Sequence, residues 1–217
     1  IVGNITSPVI TMEEGVRFDG AMRMSNVLDE AVRAHMKREL LASIPLDRDM
    51  WVFGYGSLMW NPGFAHAEGR EAYLPGWHRS FCVYSHRYRG TPENPGLVLG
   101  LDRGEDCHGM AFRVAPEDAL TAMDYLWERE MVTGVYEPME VMAQIDGRDQ
   151  LCHTFVVDRA HPQYAAGLSE EETLSLIRAG VGSAGSNPEY LLNTVGRLGE
   201  LGIADPALTR LAEAFHD

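Results

Sequence analysis

Glu130 falls where a carboxylate is hardest to ionise. At ~100° per residue, the helix predicted to begin at Pro116 lays Leu120, Met123, Leu126 and Trp127 along one apolar face, and Glu130 projects between Leu126 and Met123. Glu117, Asp118 and Glu128 project elsewhere. A carboxylate inside an apolar face is unfavourable unless it is paired or used, and burial raises its pKa toward the range of a general acid or base. The alternative reading ends the helix near Arg129 and leaves Glu130 in solvent or paired with an arginine.

A second candidate is the run Trp51-Val52-Phe53-Gly54-Tyr55-Gly56-Ser57-Leu58. An apolar strand running into Gly-x-Gly-Ser lets the backbone turn tightly and present consecutive N–H groups, which suits a carboxylate or a phosphate. It is not a Walker A loop, because no Gly-Lys-Ser/Thr follows. Met59 occupies the position where both a dinucleotide fingerprint and a nucleophile elbow need glycine. As bare spacing, the run also fits a plain strand-end turn. The third candidate is the Pro/Gly-rich loop 86–96, whose Arg87 and Arg89 are placed to hold a carboxylate bidentately or to lie solvated. His78, His86, His108 and His153 are scattered with no HExxH pairing, so no metal site is expected. Met110, Met123, Met131, Met139 and Met142 read as core filler.

These residues need a scaffold. Short β-like runs separated by Gly and Pro are predicted at 51–56, 71–74, 80–85, 97–101, 108–114, 139–145 and 151–157. Their spacing favours a barrel or closed mixed sheet over repeated βαβ units. A helix is expected over 28–41, with Leu28, Val32, Met36 and Leu40 on one face. Later helices are punctuated by Pro116, by a Ser169/Glu172 capping box with Gly180 as stop, and by Asn187-Pro188 and Asp205-Pro206, each a capping side chain before a first-turn proline. Strands first and helices last reads as α+β. The expected organisation is an N-terminal extension with one helix over 1–47, then a single domain over 48–217.

Composition excludes several partners. The 217 residues carry 45% hydrophobic and 23% charged side chains, ordinary for a globular domain, and a net charge of −14. An acidic chain without a basic cluster is a poor match for nucleic acid or for an anionic membrane surface. No apolar run approaches the ~18–20 residues needed to span a bilayer. Cys82, Cys107 and Cys152 are odd in number and lack metal spacing. With no basic-then-apolar leader pattern at the start, the expected location is cytoplasmic.

Read in order, Val52-Phe53-Gly54-Tyr55-Gly56-Ser57-Leu58, Pro75-Gly76-Trp77-His78-Arg79 and Arg89-Gly90-Thr91-Pro92-Glu93-Asn94-Pro95-Gly96 resemble motifs of the ChaC family of glutathione-specific γ-glutamylcyclotransferases. So do Gly109-Met110-Ala111-Phe112-Arg113-Val114, Leu126-Trp127-Glu128-Arg129-Glu130 and Gly185-Ser186-Asn187-Pro188-Glu189-Tyr190-Leu191. The resemblance runs from Trp51 to about Leu211. It implies a compact α+β fold around a small mixed β-barrel flanked by helices. It also implies cleavage of glutathione to 5-oxoproline and cysteinylglycine without metal or organic cofactor; the expected assembly is a monomer or homodimer. By match to the motif, Glu130 is the acid/base residue and the loop from Val52 to Ser57, with Leu58, holds the γ-glutamyl group. Arg89, Tyr136, Asn187 and Tyr190 are further site candidates, although Tyr190 at a helix start reads equally as packing. Many relatives follow the Arg-Glu pair with Gly-Gly-Tyr, where this chain has Met131-Val132-Thr133-Gly134-Val135-Tyr136.

That chemistry suits the residues. The substrate's own amine attacks its γ-carbonyl, so no protein nucleophile is needed, only orientation, a proton shuttle and N–H groups for the oxyanion. Three alternatives stay open at this point. They are a cyclotransferase for other γ-glutamyl amino acids or amines, a non-catalytic γ-glutamyl-binding regulator, and a hydrolase using Ser57.

Overall fold

The computed structural model describes residues 30–215. Strands β1 (Met50–Gly54), β2 (Glu68–Ser85), β3 (Gly96–Val114), β4 (Tyr136–Ile145) and β5 (Arg148–Val157) close into a barrel in the order β1-β3-β2-β4-β5. All neighbours are antiparallel except β1 and β5, which pair in parallel and make the barrel mixed. The fold is α+β, as the strand spacing implies.

β1 shows why its sequence is apolar at nearly every position. Side chains alternate across a strand. Phe53, and Tyr55 just beyond the strand, enter the main core of the barrel and the C-terminal helices. Met50 and Val52 enter a second core under α1 (Glu30–Ser43) and α2 (Pro116–Glu130). Both faces of this strand are buried.

Two predicted pairs of strands are each one strand. β2 runs through Pro75 and Gly76, and β3 runs through residues 102–107. Pro-Gly reads as a break, but here the register shifts between Pro75 and Trp77, and Gly76 takes φ +78°. The pair makes a bulge that bends a long strand instead of ending it. Met142 is exposed on β4, so it fills no core.

α2 starts at Pro116 as expected and buries Ala119, Ala122, Met123, Leu126 and Trp127. Leu120 is 41% exposed, because it stands about 90° from the centre of that stripe, at its edge. Glu130 lies near the centre. In α1, Met36, Leu40 and Leu41 pack on the helix-side core, while Leu28 lies outside the described residues.

The chain ends in α3 (Glu170–Ala179), a short hairpin of β6 (Val181–Gly182) and β7 (Gly185–Ser186), α4 (Asn187–Glu200) and α5 (Pro206–Glu213). The Ser169/Glu172 capping box forms with both reciprocal bonds, and Asp205 caps α5 through the Leu208 amide. Asn187 does not cap α4. Ser186 does, accepting from the Glu189 amide, while the fully buried Asn187 side chain bonds the Leu97 amide and carbonyl at 2.6 and 2.8 Å. Its partner is 90 residues away in sequence, which no local capping rule reveals.

Candidate active site

Glu130 is the last residue of α2, and its side chain is 18% exposed. Among the described residues its one ionic neighbour is Arg129, with Nε 3.2 Å from Oε1. Burial raises its pKa above the ordinary carboxylate range, against the opposing pull of the Arg129 charge. Arg129 faces the other way as well. Its Nη2 donates to Ser57 Oγ at 2.7 Å, and Nη1 donates to the Asn61 carbonyl at 2.7 Å and to Tyr125 Oη at 3.2 Å. One guanidinium thus ties the end of α2 to the loop after β1.

That loop is tight at its start, where Gly54 is close-packed and Gly109 of β3 presses on it. A Cβ on Gly54 would meet Leu58 Cβ at 2.9 Å, and one on Gly109 would meet the Gly54 carbonyl at 2.4 Å. The chain then makes a 3₁₀ turn over Ser57–Met59, with the Met59 amide on the Gly56 carbonyl at 2.9 Å and the Asn61 amide on the Ser57 carbonyl at 2.9 Å. The Ser57 and Leu58 amides, first in that turn, have no acceptor within it, and no side chain caps its start. Such N–H groups at the start of a helical turn are donors for an anion or a developing oxyanion. From below, the 5% exposed Arg79 donates to the Tyr55 carbonyl at 2.6 Å and to the His108 carbonyl, and pairs with Asp205 at 2.8 Å.

Three phenols complete the surround. Burial first, then the Glu130 charge, keeps the Tyr55 hydroxyl well above its ordinary pKa. Burial likewise dominates for Tyr136, with Tyr55 and Glu130 adding to it. Tyr190 is pushed up to about 12 by burial, with the Leu99 amide and Arg89 opposing. All three keep their protons at neutral pH. Tyr136 donates to the Leu99 carbonyl at 2.7 Å.

Seven of the residues singled out in the sequence line one small cleft of about 80 Å³: Tyr55, Gly56, Ser57, Leu58, Glu130, Tyr136 and Tyr190. They sit at the seam between the two cores. Val52 and Phe53 point into those cores, and Gly54 turns the chain toward the cleft. Arg89 stands behind the wall, its guanidinium 5.0 Å from the Tyr190 ring centroid and its Nη1 on the Ser186 carbonyl at 3.1 Å. Arg87 lies over Tyr88 instead, so the two arginines form no joint clamp. Val98, Leu99 and Phe155 also line the cleft and were not foreseen. Nor were the ties made by Arg79 and Arg129. For Arg79 a signal existed: it shares the face of Trp77 and Phe81 in an apolar alternation, where a charge needs a buried partner.

The arrangement offers one carboxylate with raised proton affinity, neutral hydroxyl donors and the uncapped first amides of a 3₁₀ turn around a small cleft. Among the described residues no three His, Cys, Asp or Glu side chains converge as a metal site, and burial holds the thiols of Cys82, Cys107 and Cys152 up at about 11, 11 and 12. No described helix is long and apolar enough to cross a membrane.

Known proteins resemble this chain in both sequence and fold. The Escherichia coli glutathione-specific γ-glutamylcyclotransferase is 36% identical over 193 residues, spanning 88% of this chain and 84% of the relative, so the match reaches back into α1. The human glutathione-specific γ-glutamylcyclotransferase 1 is 36% identical over 148 residues, 66% of this chain and 67% of the relative. A crystal structure of a yeast γ-glutamyl cyclotransferase specific to glutathione superposes with a TM-score of 0.69 at 24% identity, covering 77% of this chain and 95% of that one, and shows the same fold. The profile of ChaC-like proteins matches residues 50–217. With that match spanning the barrel, the cleft and the C-terminal helices, the chain is a member of the ChaC-like family.

Proposed function

We propose that the protein is a γ-glutamylcyclotransferase that cleaves glutathione to 5-oxoproline and cysteinylglycine, with Glu130 as the proton shuttle. The observation that carries this reading is the Glu130 carboxylate, little exposed and paired with Arg129 alone among the described residues, in a cleft beside the first amides of a 3₁₀ turn. Membership of the ChaC-like family and relatives named for glutathione supply the substrate.

The chemistry follows from the groups present. The γ-glutamyl arm lies along the Gly56–Leu58 backbone, oriented by the hydroxyls of Tyr55 and Tyr190, so that its amine faces its own γ-carbonyl carbon. Ionised Glu130 takes a proton from the substrate ammonium, and the freed amine attacks. A ring C–N bond forms while the negative charge on the carbonyl oxygen is met by the Ser57 and Leu58 amides. The amide bond to cysteine then breaks as Glu130 returns that proton to the leaving nitrogen. Ionised again, Glu130 takes the second proton from the ring nitrogen and passes it to the freed amine, leaving a neutral lactam and the cysteinylglycine ammonium. No water is consumed. Val52, Phe53 and Gly54 carry the loop into place, Arg89 supports Tyr190 from behind, and Tyr136 closes the wall.

The test is product balance with purified protein. Glutathione is expected to yield 5-oxoproline and cysteinylglycine in equal amounts, and γ-glutamyl-alanine to react far more slowly. Equal rates on the two would widen the substrate class to γ-glutamyl compounds in general. No 5-oxoproline from either would sink the enzyme reading in favour of a binding protein.

A further inference from the structure

α1 precedes the stretch that carries the family's motifs, yet it reaches the last turn of α2. Arg33 donates from Nε to the Met131 carbonyl at 3.2 Å and from Nη2 to Glu128 at 2.6 Å, with its guanidinium 6.0 Å from the Trp127 ring centroid. Met131 directly follows Glu130, and its side chain is fully buried in the helix-side core. A helix end leaves its final carbonyls without backbone partners, and a cation there also suits the dipole. Arg33 supplies both the donor and the charge.

We propose that Arg33 is a positioning residue: from α1 it caps the end of α2 and so fixes the turn on which Glu130 stands. The proposal rests on the proton-shuttle reading above. Beyond the tie of Arg129 to the loop after β1, two anchors then hold the turn that follows the catalytic carboxylate, the buried Met131 side chain and the Arg33 bond to the Met131 carbonyl. Between Met131 and β4 the chain turns through Gly134 at φ +75°, which gives the segment no regular structure of its own to hold it. A loosened end of α2 moves Glu130 relative to the Ser57 and Leu58 amides, and displacements of the order of 1 Å can lower rates by about a hundredfold.

Lys37 provides the control. It also ties α1 to α2, through Asp124 at 2.6 Å and Glu128 at 2.8 Å, but does not touch Met131. The experiment compares full-length wild type, Arg33→Ala and Lys37→Ala by amide hydrogen exchange over residues 127–135 and by kcat and KM on glutathione. Arg33→Ala is expected to speed exchange at the end of α2 about tenfold and to lower kcat about tenfold with KM within about twofold. Lys37→Ala is expected to leave both readouts within about twofold, whatever its effect on melting. Identical behaviour of the two variants, or unchanged exchange in Arg33→Ala, overturns the proposal. If the wild type turned over no γ-glutamyl compound, the exchange data would still decide the cap, and the failure would belong to the functional reading.

Discussion

Two carboxylates with little exposure, Asp102 and Glu130, are treated in opposite ways. Asp102, on β3, has a side chain only 8% exposed and three partners: Arg159 Nε at 2.6 Å, Tyr164 Oη at 2.6 Å and the Arg103 amide at 2.7 Å. Burial pushes its pKa up, but Arg159, Tyr164 and the Arg103 amide outweigh burial and hold it below the ordinary value. Glu130, with an 18% exposed side chain, has one ion-pair neighbour, and burial wins. Asp102 uses its charge to stitch the segment after β5 onto the barrel. Glu130 has its charge left available, which is what a proton shuttle needs. Depth alone does not separate structure from chemistry; the number of satisfied lone pairs does.

The sharpest way to break the comparison is to remove each charge in turn. Glu130→Gln is expected to lower kcat by about 10³-fold, within the range of positioned acid–base catalysis, while the protein stays folded. Turnover assays beside a thermal melt check this, and a variant with near-native kcat removes Glu130 from the mechanism. Asp102→Asn should do the reverse. Leaving Arg159 and Tyr164 without their charged acceptor is expected to lower stability by about 1–3 kcal/mol in urea unfolding, with kcat within about twofold of wild type.

A smaller effect separates the shuttle from the loop it works against. Ser57→Ala removes one acceptor of Arg129 but no amide, and is expected to reduce kcat/KM by about 3–10-fold, the value of one hydrogen bond. A loss as large as that of Glu130→Gln would instead make Ser57 a reacting group.

The smallest effect is in stability against pH, and its sign differs between the two sites. Glu130 binds its proton more tightly folded than unfolded, so its ionised form burdens the native state above its folded pKa. Glu130→Gln is therefore expected to be slightly more stable than wild type at neutral pH, and that advantage fades as pH falls through the folded pKa and is gone below the unfolded carboxylate pKa. Asp102 binds its proton less tightly folded. Its contribution is present above the unfolded pKa and is lost as pH falls through the folded one, so the deficit of Asp102→Asn should shrink in acid. Urea unfolding of both variants at several pH values reads the two slopes; slopes of the same sign would remove the distinction.

The contrast also explains what the sequence disclosed. Glu130 was legible because a helix repeats every 3.6 residues and its own neighbours define the buried face. The alternation of β1 and the Ser169 capping box were legible for the same reason: each is a rule within a few residues. Pro75-Gly76 misled because the local rule for a break is identical to the local rule for a bulge, and only the partner strand decides between them. Asn187 misled because its partner is Leu97. Arg79 under Tyr55, Leu99 in the cleft wall and Arg129 on Ser57 are products of barrel closure, and no spacing in one segment encodes them. The tyrosines of the cleft were candidates through the family motifs, since nothing in their own spacing brings Tyr55, Tyr136 and Tyr190 to one carboxylate.

The most direct test of the account is the titration of both carboxyl groups in one wild-type sample, followed by their side-chain carbon resonances, with Glu130→Gln and Asp102→Asn assigning the signals. Glu130 is expected to titrate above the ordinary carboxylate range and Asp102 below it. A Glu130 carboxyl that titrates at or below the ordinary value would mean that its charge is already satisfied in the fold, and would contradict its role as the proton shuttle.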